Sequence, residues 1–279
     1  MTLSVGSLAR VAAACCAIGF VALSLDGDGI SAQARRPIVI TRLYTGPDGE
    51  AAVQDVDVPF RTGDGATEVS DVFPATGLTF QRMAANDFAN WHNTPQAKYA
   101  LTLSGAIEIE VGGGKKVFVG PGNILLPGDA TGKGHFNRRV GTEDRISAQV
   151  LLTNPASCKG SEFCVGSGAP GTVTITRLLT GPDGQARVQD FQRQSSDITP
   201  ITGFQLLRVG PTGSSSLQRR RQYVIALRGA DEIEIAQGKK IVLSAGQVLL
   251  IEDRSGRDYV FRSLDADGSV LVRLPLAAN

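Results

Sequence analysis

The stretch ITRLYTGPDGEAAVQD, beginning at Ile40, returns as ITRLLTGPDGQARVQD at Ile175, with changes only at Tyr44/Leu179, Glu50/Gln185 and Ala52/Arg187. A second pair follows. KYALTLSGAIEIEVGGGKKVFVGPGNILLPGDATGKGHFNR from Lys98 aligns without a gap with QYVIALRGADEIEIAQGKKIVLSAGQVLLIEDRSGRDYVFR from Gln222. Self-similarity on this scale means two copies of one domain, not a short-period solenoid. The copies cover about 37–153 and 171–276, joined by a Gly/Pro/Ser-rich linker at 154–170.

The local pattern is β throughout. AIEIEV and EIEIA alternate strictly, placing isoleucines on one face and glutamates on the other. TGPDG sets Pro ahead of Asp-Gly, the chemistry of a tight turn, so the repeated phrase reads as a hairpin and as architecture. Many short strands at even spacing predict sandwiches or barrels. With 42% hydrophobic and 20% charged residues, a packed core is expected. The net charge of +1 carries no basic footprint, so nucleic acid is not an expected partner.

The N-terminus has the layout of a secretory signal. Arg10 precedes an uncharged apolar run, Val11–Leu25, and Ala32-Gln33-Ala34 supplies an A-x-A cleavage site. An uncleaved anchor is the competing reading, but the run is short for a span. Cleavage predicts residues 1–34 as a signal peptide, a periplasmic or extracellular product, and no membrane association afterwards. It also removes Cys15 and Cys16, leaving Cys158 and Cys164 in the linker. In an oxidising compartment this pair is expected to close, stabilising the chain by roughly 2–2.5 kcal/mol on the loop-entropy model. Two cysteines without nearby histidines make a poor zinc site.

WHNTPQAKYALTLSGAIEIEV followed by FVGPGNILLPGDATGKGH resembles the two motif regions of the cupin superfamily. The resemblance covers nearly all the mature chain, once per repeat. It implies an all-β protein of two tandem jelly-roll barrels, a bicupin. Metal-binding cupins take two histidines and a glutamate from the first motif and another histidine from the second. Here the chain has 2 histidines, His92 and His135, both at motif positions in the first copy. Thr94 stands where the second histidine would be, and Lys98 where the glutamate would be. A protonated lysine cannot ligate a metal. His92, Thr94, Lys98, Ala100 and Thr102 share strand parity and can face one interior, although Pro95 interrupts the run.

Two functions follow. In one, His92, His135 and Lys98 form a metal-free pocket for an anionic or hydroxylated small molecule, with Trp91 as a candidate wall. In the other, His92 and His135 hold a divalent transition metal for an oxygenase, isomerase or lyase. A bland alternative stays open, in which both are hydrogen-bonded remnants of a former site. No cofactor is favoured. In the second copy Ser216, Gln222 and Tyr259 occupy the corresponding positions, and no metal site can be assembled from them. Of Arg219, Arg220 and Arg221, one can enter the barrel by strand parity, although a solvated edge is the favoured reading. Homo-oligomerisation is compatible with the sequence. No nucleophile elbow or P-loop occurs.

Overall fold

Each copy of the repeated phrase folds as a β-hairpin. In the first, the Gly46 amide donates to Glu50 O at 2.7 Å and Gly49 N to Gly46 O at 3.0 Å. In the second, Gly181 and Gln185 repeat the closing bond at 2.7 Å. The turn aspartate locks each one: Asp48 Oδ1 accepts from Glu50 N at 3.0 Å, and Asp183 Oδ1 from Gln185 N at 3.1 Å. This is the side-chain turn that Asp favours.

The computed structural model describes residues 37–84, 90–94, 97–152, 171–217, 220–235, 238–252 and 259–278. The expected signal segment, the linker with Cys158 and Cys164, and Arg219 lie outside the described residues. In the first repeat the strands are β1 (Val39–Thr45), β2 (Ala51–Asp57), β3 (Phe60–Thr62), β4 (Thr67–Ser70), β5 (Gly77–Met83) and β6 (Lys98–Ser104). They continue with β7 (Ala106–Glu110), β8 (Lys116–Val119), β9 (Ile124–Gly128), β10 (Phe136–Val140) and β11 (Arg145–Leu151). The second repeat supplies β12 (Thr172–Thr180), β13 (Ala186–Gln194), β14 (Thr199–Pro200), β15 (Gln205–Val209), β16 (Ser214–Leu217) and β17 (Gln222–Arg228). It ends with β18 (Ala230–Glu234), β19 (Lys240–Ser244), β20 (Val248–Ile251), β21 (Tyr259–Ser263) and β22 (Ser269–Pro275).

Each repeat is a jelly-roll barrel made of a large and a small sheet. The first pairs a seven-stranded sheet, β14-β5-β11-β6-β9-β1-β2, with the three-stranded β10-β7-β8. Between them Leu43, Ala100 and Leu125 pack with Ile107, Ile109 and Val119. The second pairs an eight-stranded sheet, β13-β12-β20-β17-β22-β15-β4-β3, with the four-stranded β16-β21-β18-β19. The chain passes from large to small sheet at Gly105, whose φ of 61° suits glycine and whose missing Cβ makes room for the Asp144–Arg145 backbone.

The strand alternation gives each large sheet a second buried face. Leu78, Phe80, Leu101 and Val150 of the first repeat pack with Leu206, Tyr223, Ile225 and Val272 of the second in one apolar core. The repeats also exchange strands. β4 joins the second repeat's sheet, with Leu207 opposite Val69, and β14 joins the first repeat's sheet, with Pro200 opposite Gly77. The boundaries at 153 and 171 therefore separate the two copies in sequence, while each large sheet takes strands from both copies.

Candidate functional site

The TGKGH segment is held by its surroundings before any of its side chains acts. Asn93 Nδ2 donates to Thr131 O at 2.9 Å and to Asp129 O at 3.1 Å. Lys133 N bonds Gly49 O at 3.0 Å, and the Lys133 ammonium pairs with Glu50. The first hairpin thus carries the loop that leads to His135. Gly134, at φ 71°, lets that loop close on His92: a Cβ there would run into the His92 carbonyl.

The closure pairs the two histidines. His92 N donates to His135 O at 3.0 Å and His135 N to His92 O at 2.9 Å, an isolated antiparallel bridge. Their ring centroids lie 4.4 Å apart. His135 is buried, and its Nδ1–H donates to Asp129 Oδ2 at 2.6 Å. His92 Nδ1–H donates to Asn90 O at 2.7 Å. These tautomers follow from the partners, since a carboxylate and a carbonyl only accept. In its neutral form each ring keeps an Nε2 lone pair. Desolvation holds the His92 pKa below the ordinary imidazole value, and His135 and Lys98 add to that depression.

Behind the histidines the interior face of the first barrel is polar on one wall. Lys98, Ala100 and Thr102 point inward from β6, and Arg145, Ser147 and Gln149 from β11. Arg145 Nη2 donates to Thr102 Oγ1 at 3.0 Å, and Gln149 Nε2 to Ser147 Oγ at 2.7 Å and Gln81 Oε1 at 3.2 Å. Arg139 reaches in from β10 and donates to Met83 O at 3.1 Å. Among the described residues no carboxylate forms a salt bridge with Lys98, Arg139 or Arg145. Buried donors remain without an acceptor: Arg145 Nε, and Arg139 Nε and Nη2. Burial and the neighbouring Arg139 charge bring the Arg145 pKa down to about 10, and burial and Arg145 lower that of Lys98. Arg145 remains a cation at neutral pH.

The second barrel is the control. At the same register Thr102 is replaced by Ala226, Ser147 by Leu271, Gln81 by Leu207 and His135 by Tyr259. Its interior is an apolar cluster including Leu207, Val224, Ala226, Leu249, Phe261 and Leu271. One fold therefore closes its interior in one copy and keeps it polar and cationic in the other.

Of the residues singled out in the sequence, His92, His135 and Lys98 are brought together here. Thr94 is half-buried beside Asn93, with no side-chain hydrogen bond among the described residues. Trp91 stands outside the group. It is 51% exposed and leans on Phe136, with ring centroids 6.3 Å apart, because it alternates with His92 along the bridge. Asp129, Asn93, Arg139 and Arg145 escaped the sequence reading. A signal for Arg145 existed: the gap-free alignment of the copies, continued into β11, sets Arg145, Ser147 and Gln149 against Ser269, Leu271 and Arg273.

Two oriented imidazoles suit a metal, since ligating histidines donate their other ring N–H in this way. The remaining donors do not. No group of three or more His, Cys, Asp or Glu placed to hold a metal occurs among the described residues. Asp129 is committed through Oδ2 to His135, and Lys98 brings an ammonium where a carboxylate ligand is needed. Among the described residues the donors fall short of the set that a resident divalent ion needs.

Two faced sheets per repeat, in jelly-roll order and with both motif regions on one interior, decide the fold. The chain has a cupin fold. Solved structures of cupin proteins are similar to it at low identity. They include a cupin 2 conserved barrel domain protein from Leptotrichia buccalis, 11% identical, covering 79% of this chain and 92% of that one, with a TM-score of 0.36. A salicylate 1,2-dioxygenase from Pseudoaminobacter salicylatoxidans is 12% identical over 73% of this chain and 69% of that one, TM-score 0.37. An oxalate decarboxylase from Bacillus subtilis is 10% identical over 80% and 76%, TM-score 0.29. These are likenesses of trace, and the activities belong to those proteins. No protein-family model and no curated protein matches the sequence.

Proposed function

We propose that this cupin binds a small anionic molecule inside its first barrel without a metal. One observation carries the reading: Lys98, Arg139 and Arg145 share that interior, and no carboxylate pairs with them among the described residues. Burying unpaired cations costs several kcal/mol unless an anion or hydrogen bonds compensate. The second barrel, built to the same plan, avoids that cost with an apolar core. In this reading the two Nε2 atoms and the Thr102, Ser147 and Gln149 side chains orient the ligand, and the cations hold its charge.

Thermal stabilisation by phosphate and by small carboxylates without an apolar body tests it. Stabilisation is expected at pH 7 and is expected to be absent in Lys98→Gln and Arg145→Gln. Binding an anion favours protonated Lys98, so affinity is expected to fall as pH rises through the lowered Lys98 pKa. Equal stabilisation of both variants would overturn the reading.

The alternative is a metal-dependent enzyme using His92 and His135, favoured by their two free Nε2 atoms. It predicts near-stoichiometric iron, manganese, nickel, copper or zinc in the purified protein, lost in a His92→Ala, His135→Ala double variant. The metal-free reading predicts well under one tightly bound ion per chain.

Export belongs to the same proposal and rests on the A-x-A site and the isolated cysteine pair. A mature N-terminus at Arg35 and a Cys158–Cys164 disulfide are expected, and intact mass under non-reducing conditions checks both. A full-length mass, or two thiols open to alkylation without reductant, would rule against them.

A further inference from the structure

The mouth of the second barrel keeps a cavity although its interior is filled. The cavity has a volume of about 210 Å³, and Arg220 and Arg273 both line it. Arg273 projects from β22 at the position corresponding to Gln149, and Arg220 precedes β17 on the chain. Gln205 fixes the first of these. Its Nε2 donates to Ser70 O at 2.7 Å, which leaves Oε1 to accept from Arg273 Nη2. Ser70 belongs to β4, so the strand exchanged from the first repeat helps to build this mouth. Val72, Phe204 and Pro275 supply apolar wall.

Among the described residues no acidic side chain lines the cavity. Arg221, next in the chain, is taken by Glu252 at 2.6 Å, but Arg220 and Arg273 have no salt bridge among the described residues. Burial and the Arg220 charge lower the Arg273 pKa, with Asp64 offsetting only part of this. Two guanidinium forks facing one small space repel unless an anion sits between them. Planar forks match a carboxylate, to which they donate two parallel bonds each.

We propose that this mouth is a second ligand site, for a small organic carboxylate with an apolar body. The guanidinium groups take the carboxylate, and Val72, Phe204 and Pro275 take the body. An apolar wall favours this class over inorganic phosphate, which has no body to bury. The site is independent of the first-barrel reading, since none of its residues belongs to that interior.

Isothermal titration of benzoate into a Lys98→Gln chain, which silences the first barrel, tests the assignment. Saturable binding is expected to persist in that background. Adding Arg220→Gln or Arg273→Gln is expected to weaken it by about tenfold or more, as loss of a charge-assisted fork does. Benzamide, the neutral isostere, is expected not to bind measurably. Arg220 is exposed, so its variant keeps the test valid if Arg273→Gln fails to fold. Four outcomes would each overturn the proposal: no saturable benzoate binding in the Lys98→Gln chain, equal binding of benzamide, indifference to Arg220→Gln, or competition by phosphate as strong as by benzoate itself.

Discussion

Lys98 illustrates how a binding group loads the fold that carries it. It is a lysine on the interior face of a strand, with Arg145 nearby and no salt-bridge partner among the described residues. Its pKa is lowered in the folded chain, so folding favours the neutral amine. Stability therefore rises with pH between the lowered folded value and the ordinary lysine value near 10.4. At neutral pH Lys98→Gln is expected to stabilise the chain by about 1 kcal/mol while it abolishes anion binding in the first barrel. Thermal melts with and without anion separate the two effects. Asp231, buried in the second barrel, behaves oppositely. Burial raises its pKa to about 6 against a Ser269 hydroxyl bond of 2.7 Å, and the Asp265 charge adds to the rise. The folded state holds the proton where the unfolded chain has released it, so stability is lost as pH rises from about 4 to about 6. Asp231→Asn is expected to remove that slope and to gain about 1–2 kcal/mol above pH 6, with no gain at pH 4. Denaturant melts at the two pH values decide it; a gain at pH 4 would mean another cause.

At the scale of elements, the histidine pair depends on one glycine. A Cβ at Gly134 meets the His92 carbonyl, and its φ of 71° is left-handed. Gly113 has nearly the same φ, 70°, with open space around it. Gly113→Ala is expected to cost only the conformational penalty, about 1 kcal/mol. Gly134→Ala adds the broken bridge and is expected to cost about 3 kcal/mol and to shift the His135 ring resonances. Equal costs would show that the bridge is not held by this contact. The hairpins, the inward parity of β6 and the motif positions of both histidines were legible in the sequence, because turn chemistry and strand alternation act over a few residues. Asp129 was not legible. Its contact with His135, six residues on, exists only because Asn93 and the first hairpin fold the intervening loop back. The exchanged β3–β4 arm escaped for a related reason: its strands are 3 and 4 residues long, and β4 finds its second-repeat partner, β15, far along the chain.

For the whole molecule, duplication has been followed by mutual dependence. The two large sheets bury a common core, and Phe204 of the second repeat stacks on Phe73 of the first with centroids 4.8 Å apart. Tyr99 meets the same Phe204 ring edge-on at 4.9 Å. Backbone bonds cross as well, with Phe73 N donating to Phe204 O at 2.8 Å and Phe204 N to Phe73 O at 3.0 Å. A fragment ending at 153 would expose the outer face of β5, β6 and β11 and leave β3–β4 without the sheet that receives them. Such an apolar face and open strand edge favour aggregation over independent folding. The intact chain is therefore expected to unfold in one cooperative transition, with calorimetric and van't Hoff enthalpies in agreement. Phe204→Ala, in the shared core, is expected to cost about 3–5 kcal/mol and to lower that single transition. Tyr223 fluorescence cannot be isolated among the other tyrosines, so the readouts are Trp91 emission for the first repeat and amide exchange on β20 for the second. If Phe204→Ala separated these probes into two transitions, or if residues 37–153 alone folded with the protection seen in the full chain, the repeats would be autonomous domains that merely touch.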